Sequence, residues 1–213
     1  MKIGVLFMLL GYLLPGIALA TNTLSFDVYL DDKKIGLHEV HISEEGDEKR
    51  VAVQANMQVN LLFITLFSYE HEAQERWQQG CIAELNTRTL EDGEHLEVTG
   101  VKVDKGLQVI SNQESRVIDD CVRTFAYWDP QLLSSNYLLN TQNGKYEQAQ
   151  LIKEGEQPLS FNGMTYGPKR YRLNVGEDVV IQLWYDVDNS WQALETRVAG
   201  GRKLRYLRQE DSL

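Results

Sequence analysis

Apolar residues in this chain return at every second position, in run after run, with short polar turns between the runs. In LSFDVYL, Leu24, Phe26, Val28 and Leu30 share one face, while Ser25 and Asp27 take the other. In RVAVQANMQV, Val51, Val53, Ala55, Met57 and Val59 alternate with Arg50, Gln54, Asn56 and Gln58. RYRLNV sets Tyr171, Leu173 and Val175 opposite Arg170, Arg172 and Asn174. A period of two puts one apolar and one polar face on an extended chain, the signature of half-buried antiparallel strands. Between the runs stand DDKKIG, EEGDEK, EDGE, VDKG, QNGK, NVGED, DVDNS and AGGRK. Asp, Asn and Gly suit reversals because they tolerate positive φ or hydrogen-bond their own backbone. The pattern predicts about ten strands in an all-β meander.

One stretch, residues 119–140 (DDCVRTFAYWDPQLLSSNYLLN), breaks the alternation with Pro130 and a serine pair. It reads as a loop with one short helix, dividing the strands into an N-terminal and a C-terminal set. A sheet this long must curl or split into layers to bury its apolar face. The expected fold is a strongly curved antiparallel sheet, half-barrel or two-layer, in one domain over residues 21–213.

Residues 1–20 read as a secretory signal peptide. Lys2 precedes the apolar run IGVLFMLLGYLLPGI, and ALA ends at a cleavage point after Ala20. Gly11, Pro15 and Gly16 interrupt the run and no basic stop-transfer cluster follows, so the mature chain is expected to lack a membrane span and to be exported to a bacterial periplasm. With 31 acidic against 21 basic residues and a net charge of −10, the chain repels nucleic acid and anionic surfaces. Cys81 and Cys121 are the two cysteines. An oxidising compartment favours their pairing, but spacing cannot show that they meet, and the disulfide stays open at this level.

SYEHEAQERWQQG, residues 68–80, comes nearest to a chemical motif. As a helix, Ser68 would cap it, and His71 and Glu75 would be neighbours, one substitution from the His-Glu-x-x-His of zinc peptidases. As a strand, the same two residues stand roughly 13 Å apart, too far to share a zinc ion. The segment runs on from β-rich LLFITLF without a breaker, and Glu75 occupies the position of the second histidine. A strand is the reading adopted, with no metal and no cofactor. It puts Tyr69, His71, Glu75 and Trp77 on one face. A histidine and a carboxylate among aromatics inside a curved sheet can line a ligand cavity, although a core His–Glu or His–Tyr hydrogen bond is the plainer account.

Four tryptophans (Trp77, Trp128, Trp184, Trp191) fill a core more often than a binding site. LWYDVDNSW opens like a calcium loop but lacks its Gly and bidentate Glu, so a hairpin turn is expected. The bases of GPKRYR and GGRKLRYLR read as a solvated face. No nucleophile elbow, P-loop or GxGxxG is present.

FDVYLDDKKIGLHEV, YEHEAQERWQQGCIAELNTRTLEDG and KRYRLNVGEDVVIQLWYD resemble successive blocks of a bacterial exported family known as a domain of unknown function, number sixty-one thirty-four. The resemblance spans the mature chain. It implies a curved antiparallel sheet broadly similar to the half-barrel of lipoprotein-carrier proteins, and no activity. The first functional expectation is a non-catalytic protein sheltering a lipid or other amphipathic molecule, with Tyr69, His71, Glu75, Trp77, Tyr171, Trp184 and Asp186 as candidate ligand-binding residues. The alternative is an envelope module that binds another protein by a sheet edge or loop. The third is a hydrolase using the carboxylates of Glu75 and Asp186.

Overall fold

In the computed structural model, residues 20–61 and 64–209 are described. Residues 1–19, which hold nearly all of the expected signal peptide, lie outside them. The described strands are β1 (Ala20–Leu30), β2 (Lys33–Glu45), β3 (Glu48–Leu61), β4 (Ile64–Gln78), β5 (Cys81–Glu91), β6 (Glu94–Val103), β7 (Gly106–Ser111) and β8 (Glu114–Asp119). They continue as β9 (Tyr137–Leu139), β10 (Tyr146–Glu156), β11 (Leu159–Phe161), β12 (Met164–Tyr166), β13 (Lys169–Val175), β14 (Val179–Tyr185), β15 (Trp191–Arg197) and β16 (Lys203–Arg208).

Fourteen of these form one antiparallel sheet in the order β8-β7-β6-β5-β4-β3-β2-β1-β16-β15-β14-β13-β10-β9. Sequence reading gave about ten. Two missed reversals carry only half a turn signal: Gln79 and Gln113 hold positive φ (52° and 66°) beside Gly80 and Asn112 (75° and 51°). The remaining pair, β11 and β12, forms a separate ribbon.

The segment SYEHEAQERWQQG is strand to Gln78, followed by a turn at Gln79–Gly80. From Tyr69 to Trp77 every second residue is buried, as alternation requires. The first and last strands pair directly, Phe26 with Arg208 and Leu30 with Leu204. This joins the N-terminal meander to the C-terminal strands in one curved sheet.

The concave face is filled from within. After β8 the chain turns inward, and residues 121–136, with one turn of 3-10 helix at Leu132–Ser134, run across the interior. Val122, Ala126, Leu132 and Leu133 from this plug join Phe26, Trp77, Leu85, Leu173, Leu183, Tyr185 and Trp191 in the main core. Ile82 N–H of β5 donates to Val122 O and Leu139 N–H of β9 donates to Arg123 O, so the plug spans between the two strand sets. Cys81 and Cys121 form a disulfide, with Cα atoms 5.1 Å apart, that ties the start of the plug to β5.

The sheet is not closed: β8 and β9 are its two ends. The β9–β10 turn packs across toward the other end, and four successive carbonyls accept side-chain hydrogen bonds there. Thr87 Oγ1 donates to Thr141 O (2.6 Å), Thr89 Oγ1 to Gln142 O (3.4 Å), Ser111 Oγ to Asn143 O (2.8 Å), and Arg116 Nη2 to Gly144 O. Gly144 is required twice over. Its φ is +75°, and a Cβ there would lie 2.6 Å from Ser111 Cβ.

On the convex face, the β11–β12 ribbon covers a small second core. Trp184, Ala193 and Leu207 stand in cross-strand register on β14, β15 and β16 and pack with Tyr166, Leu159 and Phe161. Both faces of this part of the sheet are therefore covered.

Candidate functional site

The strand register fixes a row across the concave face. His38 on β2 pairs with Ala55 on β3, Ala55 with His71 on β4, and His71 with Thr89 on β5. Residues directly opposite across antiparallel strands share a face, so both imidazoles point inward with only a methyl group between them. Above this gap the plug does not fill the interior. A cavity of about 310 Å³ remains, walled on the sheet side by His38, Ala55, Tyr69, His71 and Glu75 and on the plug side by Thr124–Trp128. Trp191, Leu194, Leu204 and Tyr206 complete it from β15 and β16, Val175, Val179 and Ile181 from β13 and β14, and Asn140–Gln142 with Glu147 from the β9–β10 turn and β10. Two larger depressions, about 530 and 520 Å³, lie among hairpin turns, one beside Pro130 and the other beside the disulfide. Neither contains a buried ionisable group.

Burial governs the electrostatics of this cavity. Glu75 is buried beside Trp77 and Thr124, and desolvation pushes its carboxyl up to about 7. Trp77 Nε1–H donates to its Oε2 at 2.8 Å and Thr124 Oγ1 to its Oε1 at 3.5 Å, which holds the rise back. Burial lowers His71 to about 4 and His38 to about 3, the latter helped by His71, because a charged imidazole loses its hydration there. Both are neutral at pH 7. His71 Nδ1 lies 2.8 Å from Thr89 Oγ1. Thr89 Oγ1 also stands 3.4 Å from Gln142 O, so the imidazole, the hydroxyl and that carbonyl form one short polar chain. His38 is held among rings, 5.1 Å from Tyr206, 5.8 Å from Trp191 and 6.2 Å from Phe26, and its Nδ1 is buried without a hydrogen-bond partner. Desolvation raises the phenols of Tyr69, Tyr127 and Tyr206 above their usual range, which keeps them protonated.

Of the residues singled out in the sequence, Tyr69, His71 and Glu75 line this cavity. Trp77 lies behind it, buried, as the donor that orients Glu75. Tyr171 packs edge-on against Tyr185, 5.5 Å away, at the margin of the main core. Trp184 faces the other way, into the convex-side core, with Nε1–H donating to Gln157 O. Asp186 organises the β14–β15 turn, accepting from the backbone N–H of Asp188 and Ser190. Alternation cannot say which side is concave when both sides are covered, which is why Trp184 was grouped with the others. Asp186 does not line the cavity, so Glu75 and Asp186 are not assembled as a carboxylate pair. Among the described residues no three of His, Cys, Asp and Glu are grouped to hold a metal ion.

His38, Tyr127 and Tyr206 are cavity residues that the sequence reading passed over. His38 was findable, since it stands two and four residues before the inward Val40 and Ile42. Tyr127 sits in the non-alternating plug, where no periodicity points anywhere. Tyr206 neighbours Leu207 in a strand packed over on both faces, where only Leu207 is fully buried.

A comparison with curated proteins gave no match. Among solved structures, the chain is similar to a β-barrel-like protein of another domain of unknown function, DUF1849, from Brucella abortus. The TM-score is 0.64 over 92% of this chain and 98% of that one, at 8% identity, a likeness of fold alone. The three sequence blocks that open, centre and close the sheet all fall within residues 26–209, the span over which this chain matches and belongs to the family described as a domain of unknown function, DUF6134.

Proposed function

We propose that this is a non-catalytic, exported protein of the bacterial periplasm that holds one small amphipathic molecule between its concave sheet and its plug. The observation that carries this reading is the cavity itself. A core otherwise packed with large side chains leaves about 310 Å³ open beside neutral histidines and protonated phenols. That space equals roughly ten water molecules at about 30 Å³ each and lies at the small end of ligand sites. It suits a single acyl chain or ring system and is too small for a two-chain lipid. Native mass spectrometry of the chain purified from a periplasm tests this. A stoichiometric small adduct supports the reading, and an adduct-free protein from several hosts counts against it. The same spectrum reports whether the mature chain starts at Thr21, as signal cleavage after Ala20 requires.

A second reading, as an interaction module, rests on the β3–β4 hairpin. The pairing of β2 with β3 ends at Met57, and that of β5 with β4 ends at Tyr69. Beyond these points residues 58–61 and 64–67 take their strand partners from each other, with Asn60 O also accepting from Lys33 Nζ. Ile64 and Leu66 on this projection are 65% and 57% exposed, and residues 57–69 carry no charge. An Ile64→Asp, Leu66→Asp variant that loses a crosslinked protein partner while keeping its cavity adduct would favour docking by this hairpin.

A further inference from the structure

The chemistry of the cavity wall also restricts what can occupy it, if the ligand-binding reading on which this rests is right. We infer that the cavity selects an uncharged molecule bearing a carbonyl-type hydrogen-bond acceptor, such as a ketone, ester or quinone, and rejects carboxylates and phosphates.

Charge is the first ground. Among the described residues no Lys or Arg lines the cavity. Its ionisable residues other than tyrosine are His38 and His71, which burial keeps neutral, and two glutamates, Glu75 and Glu147. The inward-facing Arg208 stands over the Phe26 ring, 5.7 Å from its centre, donates to Thr23 O, and does not line the space. An anion entering would shed its hydration, meet no cation, and face carboxyl groups. Burying an unpaired charge forfeits its hydration with no Coulombic gain to offset it.

Hydrogen bonding is the second ground, and it is independent of the first. The hydroxyls of Tyr69, Tyr127 and Tyr206 make no hydrogen bond with any described residue, yet none is sealed from a water-sized probe. The remaining buried polar groups are mostly spoken for: Thr87 and Thr89 by the β9–β10 turn, Glu75 by Trp77 and Thr124. Three donors without acceptors, set in a wall of Val175, Val179, Ile181 and Leu204, ask for a ligand that brings acceptors on an apolar body. A carbonyl oxygen takes two such bonds without carrying charge. A hydrocarbon would displace the water that reaches the phenols and leave them unpaired, an unfavourable state for hydroxyls so covered.

Isothermal titration of the purified full mature chain at pH 7 with 2-octanone and with octanoate tests the inference, since the two share length and differ in head-group charge. The expected result is that the ketone binds at least tenfold more tightly than the carboxylate. Tyr69→Phe, Tyr127→Phe and Tyr206→Phe combined should weaken the ketone about tenfold while leaving the circular dichroism spectrum unchanged. These phenols have no partner in the protein to lose, and Tyr206→Phe alone serves if the triple variant does not fold. Octanoate binding as well as the ketone, or a ketone affinity untouched in the phenylalanine variants, would overturn the selectivity while leaving cavity binding in place. Neither probe binding would overturn both.

Discussion

The two flanks of the concave face differ in what they bury beside their apolar residues. On β4 and β5 the sheet buries His71, Glu75, Thr87 and Thr89 among Tyr69, Trp77 and Leu85, while on β13–β15 it buries Leu173, Val175, Ile181, Leu183 and Leu194 with Tyr185 and Trp191. The strands are alike in pairing, and the difference lies in what covers them. The first flank meets the backbone of the plug and the β9–β10 turn, whose carbonyls must find donors when buried. The second meets mostly aromatic side chains, with one bond from the Tyr185 hydroxyl to Tyr127 O at 2.8 Å. Directional bonds therefore dominate the seating of the inserted chain on one side, and close packing dominates it on the other.

Substitutions that attack each flank by its own logic should separate the two. The largest effect is expected on the apolar side. Trp191 is buried and stacks on Phe26 with ring centres 4.0 Å apart, so Trp191→Ala should cost about 5 kcal/mol, the upper end for such truncations, measured by urea unfolding. On the polar side the largest single restraint is covalent. Replacing Cys81 and Cys121 by serine opens a 40-residue separation and should cost about 4 kcal/mol in the chain-entropy model, with protease nicking appearing first in residues 121–136.

Glu75 provides a subtler probe because its effect depends on pH. Its native carboxyl holds a proton up to about pH 7 against about 4.5 in the unfolded chain. The folded state thus binds the extra proton between these values. This stability is full below pH 4.5 and is lost as pH rises through 7, by about 3 kcal/mol at 1.36 kcal/mol per pKa unit. Glu75→Gln should flatten that alkaline limb in a series of unfolding curves. His71 acts in reverse: its lowered value contributes stability above pH 6.5 that is lost as pH falls toward 4. Smallest of all, Thr87→Val removes one 2.6 Å bond to Thr141 O and should cost about 1–2 kcal/mol. The equivalent polar-to-apolar change has no counterpart among the buried aliphatic residues of β13–β15, and a negligible effect of Thr87→Val would erase the contrast between the flanks.

Strand identity was legible in the sequence wherever one face of the sheet is wet. The run from Tyr69 to Trp77 alternates cleanly but fitted a capped helix as well, and its unbroken continuation from LLFITLF, with the likeness to a β family, decided for the strand. Legibility failed where alternation loses meaning. β14 and β16 are covered on both sides, so Trp184 and Tyr206 could not be assigned a side. Phe125, Tyr127 and Trp128 lie in a segment whose shape depends on a cavity made by distant strands. The cysteines show the same limit: their separation allowed a disulfide, but only the inward turn after β8 brings Cys121 to Cys81.

The pairing of β1 with β16 has a consequence for the order in which the molecule is made. The strands from β1 to β8 join neighbours in sequence and can form hairpin by hairpin as the chain lengthens. The outer edge of β1 has no partner until residues 203–208 exist. A waiting strand edge is a template for wrong pairing, and a contact spanning nearly all of the described residues is slow to find. The last six residues of sheet are thus the ones that end the vulnerable period. Truncation just before Lys203 should yield a chain that holds most of its strands yet assembles with its own copies through β1.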